Sequence, residues 1–324
     1  MANPKVMKSN IIEKQSTTSI TLEVDPEIAN WMVGEIPANR SQCSLYLDSG
    51  GGKAWLSLVD AGVYKTNTSY NKIEELIIET LKIETLDVNA FISFGPGDGG
   101  TDYKILSSLL EPIHYIPIDI SNVLLLRSIL KLRDIAHIPF GILGDFEEGF
   151  SFIRNKLEKE VNAPIIVSMI GNTLGNLDIN ENPLLANLAG FLKKGDYLVL
   201  HVSVYSQSWE FKSDYWVQKE NHTSKMRQWI AQGISRKTNK EMEEVLRNYA
   251  ELEITERIHS DIPNSRSINF SYRGDKILSI RRYDWASFIG WIKQNMDPFE
   301  IIREGYFIEG DRETGSACIL LKRS

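Results

Sequence analysis

The sequence predicts an α/β protein built on a doubly wound, mostly parallel sheet, with a smaller α+β part closing over it. Three observations carry this reading. From residue 71 onward, short apolar runs alternate with stretches of helical spacing, as in strands joined by crossover helices. Residues 91–100, Phe-Ile-Ser-Phe-Gly-Pro-Gly-Asp-Gly-Gly, run an apolar strand into a loop with four glycines in six positions. Past Val202 the pattern changes to aromatic and charged helical stretches followed by hairpin-like strands.

The sheet strands are expected at Ala90–Phe94, Ile113–Asp119, Phe140–Gly144, Ile165–Ile170 and Tyr197–Val202, each a short apolar run bounded by polar or glycine residues. Helices at Tyr103–Leu110, Ser121–Leu132, Phe150–Lys159 and Pro183–Leu192 are long enough to return the chain for parallel pairing. Beyond them, Glu251–Ile258, Ser267–Tyr272 and Lys276–Tyr283 read as antiparallel strands, with Arg273-Gly274-Asp275 as a hairpin turn. A helix at Trp285–Met296 then leads to two closing strands, Phe299–Tyr306 and Ala317–Leu321. The stretch 205–285 therefore reads as an insertion.

Composition narrows the function. With 324 residues the chain sits where single cores begin to divide, so one large or two unequal domains are expected. A net charge of −7 argues against a broad phosphate-binding surface and hence against nucleic acid as a partner. No apolar run approaches the roughly 18 residues of a membrane span, so no membrane partner is expected either. The polar first residues lack a secretory core, and Cys43 and Cys318 lack metal-ligand spacing, so a cytoplasmic protein with no metal is expected. His114, His137, His201, His222 and His259 likewise show no ligand spacing.

In open parallel sheets, ligands bind beyond the carboxyl ends of the strands. The glycine loop matches GxGxxG through Gly95, Gly97 and Gly100, a pattern shared by several nucleotide-binding chemistries and by plain tight turns. Asp119 closes the second strand where a carboxylate can accept the two hydroxyls of an adenosine ribose, a helix cap before Ser121 being the alternative. After the third strand, Asp145 can accept an adenine amino group while Phe146 packs on the base. Gly171-Asn172-Thr173-Leu174-Gly175-Asn176-Leu177 follows the fourth strand and is expected to line the site.

Together these loops resemble the histidine-specific methyltransferases, which use S-adenosylmethionine (SAM) to methylate the α-amino group of histidine and have relatives acting on prenylated tryptophan. The resemblance also takes in Tyr46-Leu47-Asp48-Ser49-Gly50, Gly62-Val63-Tyr64-Lys65-Thr66-Asn67 and Tyr115-Ile116-Pro117-Ile118-Asp119-Ile120-Ser121, and so spans nearly the whole chain. The polar residues 1–18 read as a disordered tail, and the resemblance implies a Rossmann-like class I methyltransferase domain at 71–204, completed by 286–324. A substrate-binding domain would be formed by 19–70 and the 205–285 insertion. By this likeness Gly95, Gly97, Asp119, Ser121, Asp145, Phe146 and Gly171 hold SAM, Tyr46 and Tyr64 are active-site tyrosines, and Asn176 and Tyr215 bind the amino-acid end of a small amine or amino-acid substrate.

Two departures are informative. The family's Lys-Thr pair after the glycine loop is Thr101-Asp102 here, and its imidazole-binding glutamate and serine, two apart on a late strand, are Ser279 and Arg281. An acceptor has become a hydroxyl and a hydroxyl a cation. The expectation is a SAM-dependent N-methyltransferase for an amine other than histidine; with Arg281 in the pocket its planar fork would favour an anionic group on the substrate, with Arg281 on the solvent face it would not. The other readings of the same residues are an NAD-dependent oxidoreductase using GxGxxG and a SAM-binding relative without turnover.

Overall fold

The computed structural model describes residues 20–47, 49–62, 68–84, 87–109, 111–213, 224–258, 261–310 and 313–324. The tail expected at 1–18 and the tyrosines Tyr64 and Tyr215 lie outside them. Six parallel strands form the body of the sheet: β1 (Thr21–Val24), β2 (Ala90–Phe94), β3 (His114–Asp119), β4 (Phe140–Leu143), β5 (Ile165–Met169) and β6 (Tyr197–Tyr205), in the spatial order β1-β4-β3-β2-β5-β6. The order reverses at β2, the strand that feeds the glycine loop. On the far side of β6 lies β11 (Thr314–Arg323), antiparallel, with β10 (Phe299–Glu309) antiparallel beyond it.

Alternation along each strand buries both faces. Ala90, Ile92 and Phe94 join one apolar layer with Ile116, Val167 and Leu188, whereas Phe91 joins the other with Tyr115, Ile166 and Val199. The helices covering these layers are α1 (Pro26–Val33), α3 (Thr68–Glu84), α4 (Gly100–Ser107), α5 (Asn122–Leu132), α6 (Phe150–Glu160) and α7 (Glu181–Phe191), whereas α2 (Ser49–Asp60) packs into a separate core. Asp25 begins α1 by accepting from the Glu27 amide at 3.0 Å, with Pro26 in the first turn, where its missing N–H costs nothing.

The 205–285 stretch contributes α8 (Ser224–Thr238), α9 (Met242–Arg247) and the antiparallel strands β7 (Leu252–Ile258), β8 (Arg266–Tyr272) and β9 (Asp275–Asp284). Arg273 and Gly274, at φ 53° and 88°, make the β8–β9 turn, two successive left-handed residues that match the twist of a hairpin. β9 then takes the place beside β6 that β5 vacates, through Val204↔Tyr283 and Tyr205↔Asp284, and α10 (Trp285–Asn295) leads on to β10. A third core joins Leu45, Trp55 and Leu58 of the N-terminal stretch to Trp209, Trp229, Ile234, Phe270 and Leu278 of the insertion.

Two elements differ from expectation. α4 starts at Gly100 rather than Tyr103, because Gly99 at φ 70° makes the entry and the Asp98 carboxylate accepts from the Gly100 amide at 3.2 Å. The N-terminal stretch does more than build the second layer, since β1 adds an edge strand through Thr21↔Phe140 to Val24↔Leu143. Its four residues are mostly exposed and carry no apolar run that would announce it.

The two parts are locked where α8 crosses the 41–45 turn. Trp229 donates its indole N–H to the Leu45 carbonyl at 3.1 Å, and a Cβ on Gly233 would lie 2.3 Å from the buried Leu45 side chain. Gly233→Ala is therefore expected to destabilise the fold by about 1–3 kcal/mol, as overpacking does. Thermal unfolding reads this directly, and an unchanged midpoint would mean that Leu45 moves aside freely.

Candidate functional site

The strand-end loops meet in one cleft with about 840 Å³ of space between its walls, open solvent at its mouth included. Gly95, Gly97, Asp119, Asp145, Phe146, Gly171, Asn176 and Tyr46 all line it. Ser121, Ser279 and Arg281 do not.

The glycine loop is tightly held. Gly95 and Gly97 sit at φ 67° and 59°, a region that disfavours side chains, and a Cβ at Gly97 would lie 2.7 Å from the ring of Trp55. Gly95 similarly faces Thr173, 3.0 Å from where its Cβ would be. The start of α4 is already negative: Asp98 accepts from the Gly100 amide and from Lys131 Nζ at 2.5 Å, and Asp102 is buried in the first turn, accepting from Tyr115 Oη at 2.8 Å. Thr101 is equally engaged, with Tyr70 at 2.9 Å. The Thr101-Asp102 pair thus serves packing, away from the cleft lining.

Asp119 is 5% exposed and accepts from the Ser121 amide at 2.8 Å. Burial pushes its carboxyl up to about 7, against the pull of the Ser121, Gly97 and Ile120 amides. The Ser121 side chain is fully buried, its hydroxyl 2.7 Å from where a Cβ on Gly52 would sit, so this residue acts on the site only through the amide it donates to Asp119. Asp145 accepts on Oδ1 from Arg40 Nη2 at 2.6 Å and from the Glu147 amide at 2.9 Å, while Oδ2 is buried without a partner. Burial raises Asp145 to about 6, with Arg40 opposing. Phe146 stands edge-on to Phe94 at 5.6 Å and presents its ring to the cleft.

Beyond β5, Gly171 and Asn172 take left-handed conformations, φ 87° and 65°, and Asn172 is fastened by the Ser203 amide at 2.8 Å. Its side-chain amide donates to Asn176 Oδ1 at 3.2 Å. Tyr46 packs against Trp229 at 5.6 Å on the opposite wall. Arg281, 4% exposed on β9, donates to the Ile179 carbonyl at 2.6 Å and lies 3.4 Å from Glu181, so it faces neither solvent nor the described cleft. Ser279 beside it donates to Asn269 at 3.0 Å.

Arg40, Gln42, Cys43, Trp55, Glu147 and Asp178 also line the cleft and were not singled out from the sequence. Trp55 carried one usable signal, since it follows three glycines at the start of α2, of which Gly52 lets the helix press against Ser121 and Val123. Arg40 carried none, because its partner Asp145 is 105 residues away.

These residues fit SAM on the structure's own terms: an orphaned buried acceptor at Asp145, a second carboxylate at Asp119 and a glycine loop between them. Buried carboxyls also set a pH dependence of the protein alone. Unfolded, Asp119 loses its proton near 3.8, whereas folded it keeps it to about 7, so its contribution to stability is complete below pH 4 and is lost as pH rises through 7. At about 1.4 kcal/mol per unit, Asp119→Asn should make the ligand-free protein more stable than wild type at pH 8 but not at pH 4. Urea unfolding at the two pH values measures this, and equal differences at both would refute it.

Residues 64–215 match the model of a family described as histidine-specific, SAM-dependent methyltransferases. No curated protein sequence matches. Among solved structures, a SAM-dependent methyltransferase from Clostridium acetobutylicum is similar at 13% identity and TM-score 0.44, over 82% of this chain and 98% of that one. The N-methyltransferase NodS from Bradyrhizobium japonicum, solved with S-adenosyl-l-homocysteine, is similar at 9% identity and TM-score 0.42, over 89% and 99%. The parallel sheet reversing at β2 and the closing antiparallel β10–β11 pair make the fold that of a class I methyltransferase, and over residues 64–215 the chain carries the match to the histidine-specific, SAM-dependent methyltransferase family.

Proposed function

We propose that the protein is a SAM-dependent N-methyltransferase acting on the amino group of a small amino-acid-like substrate other than histidine. The observation that carries this reading is the composition of the cleft wall. Tyr46 and Asn176 face the strand-end carboxylates in one space, and no histidine lines it among the described residues. When bound, SAM supplies a methyl group made electrophilic by its sulfonium.

What remains for the chain is placement. An unprotonated amine needs no strong base, and alignment of reactants can supply about 7–11 kcal/mol of a barrier in well-arranged cases. Asn176, tethered through Asn172, offers an amide to the amino-acid end of a substrate. The Tyr46 hydroxyl and ring can stabilise positive charge growing on nitrogen. Tyr64 and Tyr215 are proposed as further substrate contacts on the family resemblance alone.

Exclusion of histidine rests on β9. Where the family presents a glutamate and a serine, this chain has Ser279 and Arg281, and Arg281 is held by Glu181 and the Ile179 carbonyl. The oxidoreductase reading is disfavoured by α4: a dinucleotide pyrophosphate at that helix start would meet Asp98, which already takes the Gly100 amide.

The test is to incubate the full chain with SAM and a library of amines and amino acids, histidine included, and to locate the added methyl by mass spectrometry. A methyl on the amino nitrogen of a compound other than histidine is expected; transfer to carbon or oxygen, or histidine as the best substrate, would overturn the reading. With that substrate, Tyr46→Phe should lower kcat about tenfold, the worth of one hydrogen bond, while the Kd for S-adenosylhomocysteine stays within about threefold. Arg281→Ala, which removes a buried brace of Glu181 outside the cleft lining, should lower the melting temperature while KM stays unchanged; a raised KM at an unchanged melting temperature would instead put the guanidinium on the substrate.

A further inference from the structure

We propose that Asn172 is a positioning residue that sets which end of the Asn176 side-chain amide meets the substrate, turning its NH2 group to the cleft and so selecting a substrate with a carboxylate beside the amine; this rests on the N-methyltransferase reading above. Asn172 is 8% exposed and does not line the cleft, whereas Asn176 does. A side-chain amide has two different ends, one that accepts hydrogen bonds and one that donates them. Its direction therefore decides what a ligand meets.

The direction is fixed from the sheet outward. The Ser203 backbone amide on β6 donates to the Asn172 side chain at 2.8 Å, and because a backbone N–H can only donate, the atom facing it is Oδ1. Nδ2 of Asn172 is left to face Asn176. It donates to Asn176 Oδ1 at 3.2 Å, which leaves Asn176 Nδ2 as the end offered to a ligand. Two backbone features hold this relay in place. Asn172 takes φ 65°, which asparagine tolerates better than most side chains, and its amide lies against Gly175, where a Cβ would stand 2.4 Å from Oδ1 and 2.6 Å from Nδ2. Turning the Asn172 amide over would set its NH2 group against the Ser203 N–H. A carboxylate gains most from the donor so presented, since a hydrogen bond to an ionised partner is roughly twice as strong as a neutral one.

Two variants separate orientation from packing. Asn172→Asp keeps the shape and the Ser203 bond but offers Asn176 an acceptor, so Asn176 turns its NH2 group inward and its oxygen to the cleft. Asn172→Gly suits the left-handed backbone, adds no charge and lets the Asn176 amide turn either way. The full chain is incubated with SAM and the standard L-amino acids, each paired with its own carboxamide, and kcat/KM is measured for both members of the pair that reacts best. Comparing the ratio within that pair between variants cancels the different basicity of the two amines. Wild type should favour the amino acid about tenfold, Asn172→Gly should bring the two within about threefold, and Asn172→Asp should favour the carboxamide. The Kd for S-adenosylhomocysteine should stay within about threefold throughout, because Asn172 lies outside the cleft lining. A wild type that favours the carboxamide would overturn the inference. So would the wild-type ratio persisting in Asn172→Gly, even with both members slowed equally; that variant decides alone if Asn172→Asp does not fold. Methyl transfer to no member of any pair would instead remove the N-methyltransferase reading, and this inference with it.

Discussion

Everything in the cleft depends on an electrostatic imbalance. Asp119, Asp145, Glu147 and Asp178 line one space and Arg40 is the one cation among the described lining residues, with Lys276 reaching Asp178 from behind at 3.6 Å. Burial raises Asp119 to about 7 and Asp145 and Asp178 to about 6, so the folded protein holds these charges at a cost. Folded proteins keep such arrangements where function requires them, because a packed apolar cleft would be more stable. Hydrogen-bond donors on a ligand relieve the imbalance. The same carboxyls that cost the fold stability are therefore the ones a donor-bearing ligand gains most from.

The sheet makes this possible by ending its strands together. β2, β3, β4 and β5 are parallel and in register, so the residues after Phe94, Asp119, Leu143 and Met169 emerge on one edge. The N-terminal stretch then closes that edge from outside. Trp55 lies over Gly97, Gln42 donates its amide to Asp178 at 2.8 Å, and Arg40 enters between Asp145 and Glu147. A region far from the nucleotide-binding strands in sequence thus supplies much of the wall.

That division explains what could be read in advance. The five strands from Ala90 to Val202, the turn at Arg273-Gly274 and the antiparallel closing pair were visible because alternation, apolar runs and turn chemistry are local signals. Asp119, Asp145 and Phe146 could be placed because each follows directly on a strand end. β1 was hidden, being four exposed residues whose identity as a strand comes only from pairing with β4. Arg40, Gln42 and Trp55 were hidden for the same reason at the level of the site, since their roles lie in contacts across 105 and 136 residues of chain, or across the gap from Trp55 to Gly97, that no spacing rule encodes. Arg281 shows the converse limit: its charge was plain, but burial beside Glu181 is a property of β9 docked against the start of α7, not of the strand alone.

The glycine loop shows why a letter pattern and a site are different things. Gly95, Gly97 and Gly100 spell the dinucleotide fingerprint, and the backbone conformations at Gly95, Gly97 and Gly99 suit close approach by a ligand. A pyrophosphate site, however, depends on free amides and a positive helix start. Here the Asp98 carboxylate takes the Gly100 amide, and Asp102 adds a second buried acid to the same turn. An anion at that position would be opposed by two carboxylates, one of them balanced by Lys131. A ligand whose charge nearby is cationic, such as a sulfonium, meets no such opposition. The electrostatics of one helix turn thus separate two chemistries that the glycine spacing leaves equal.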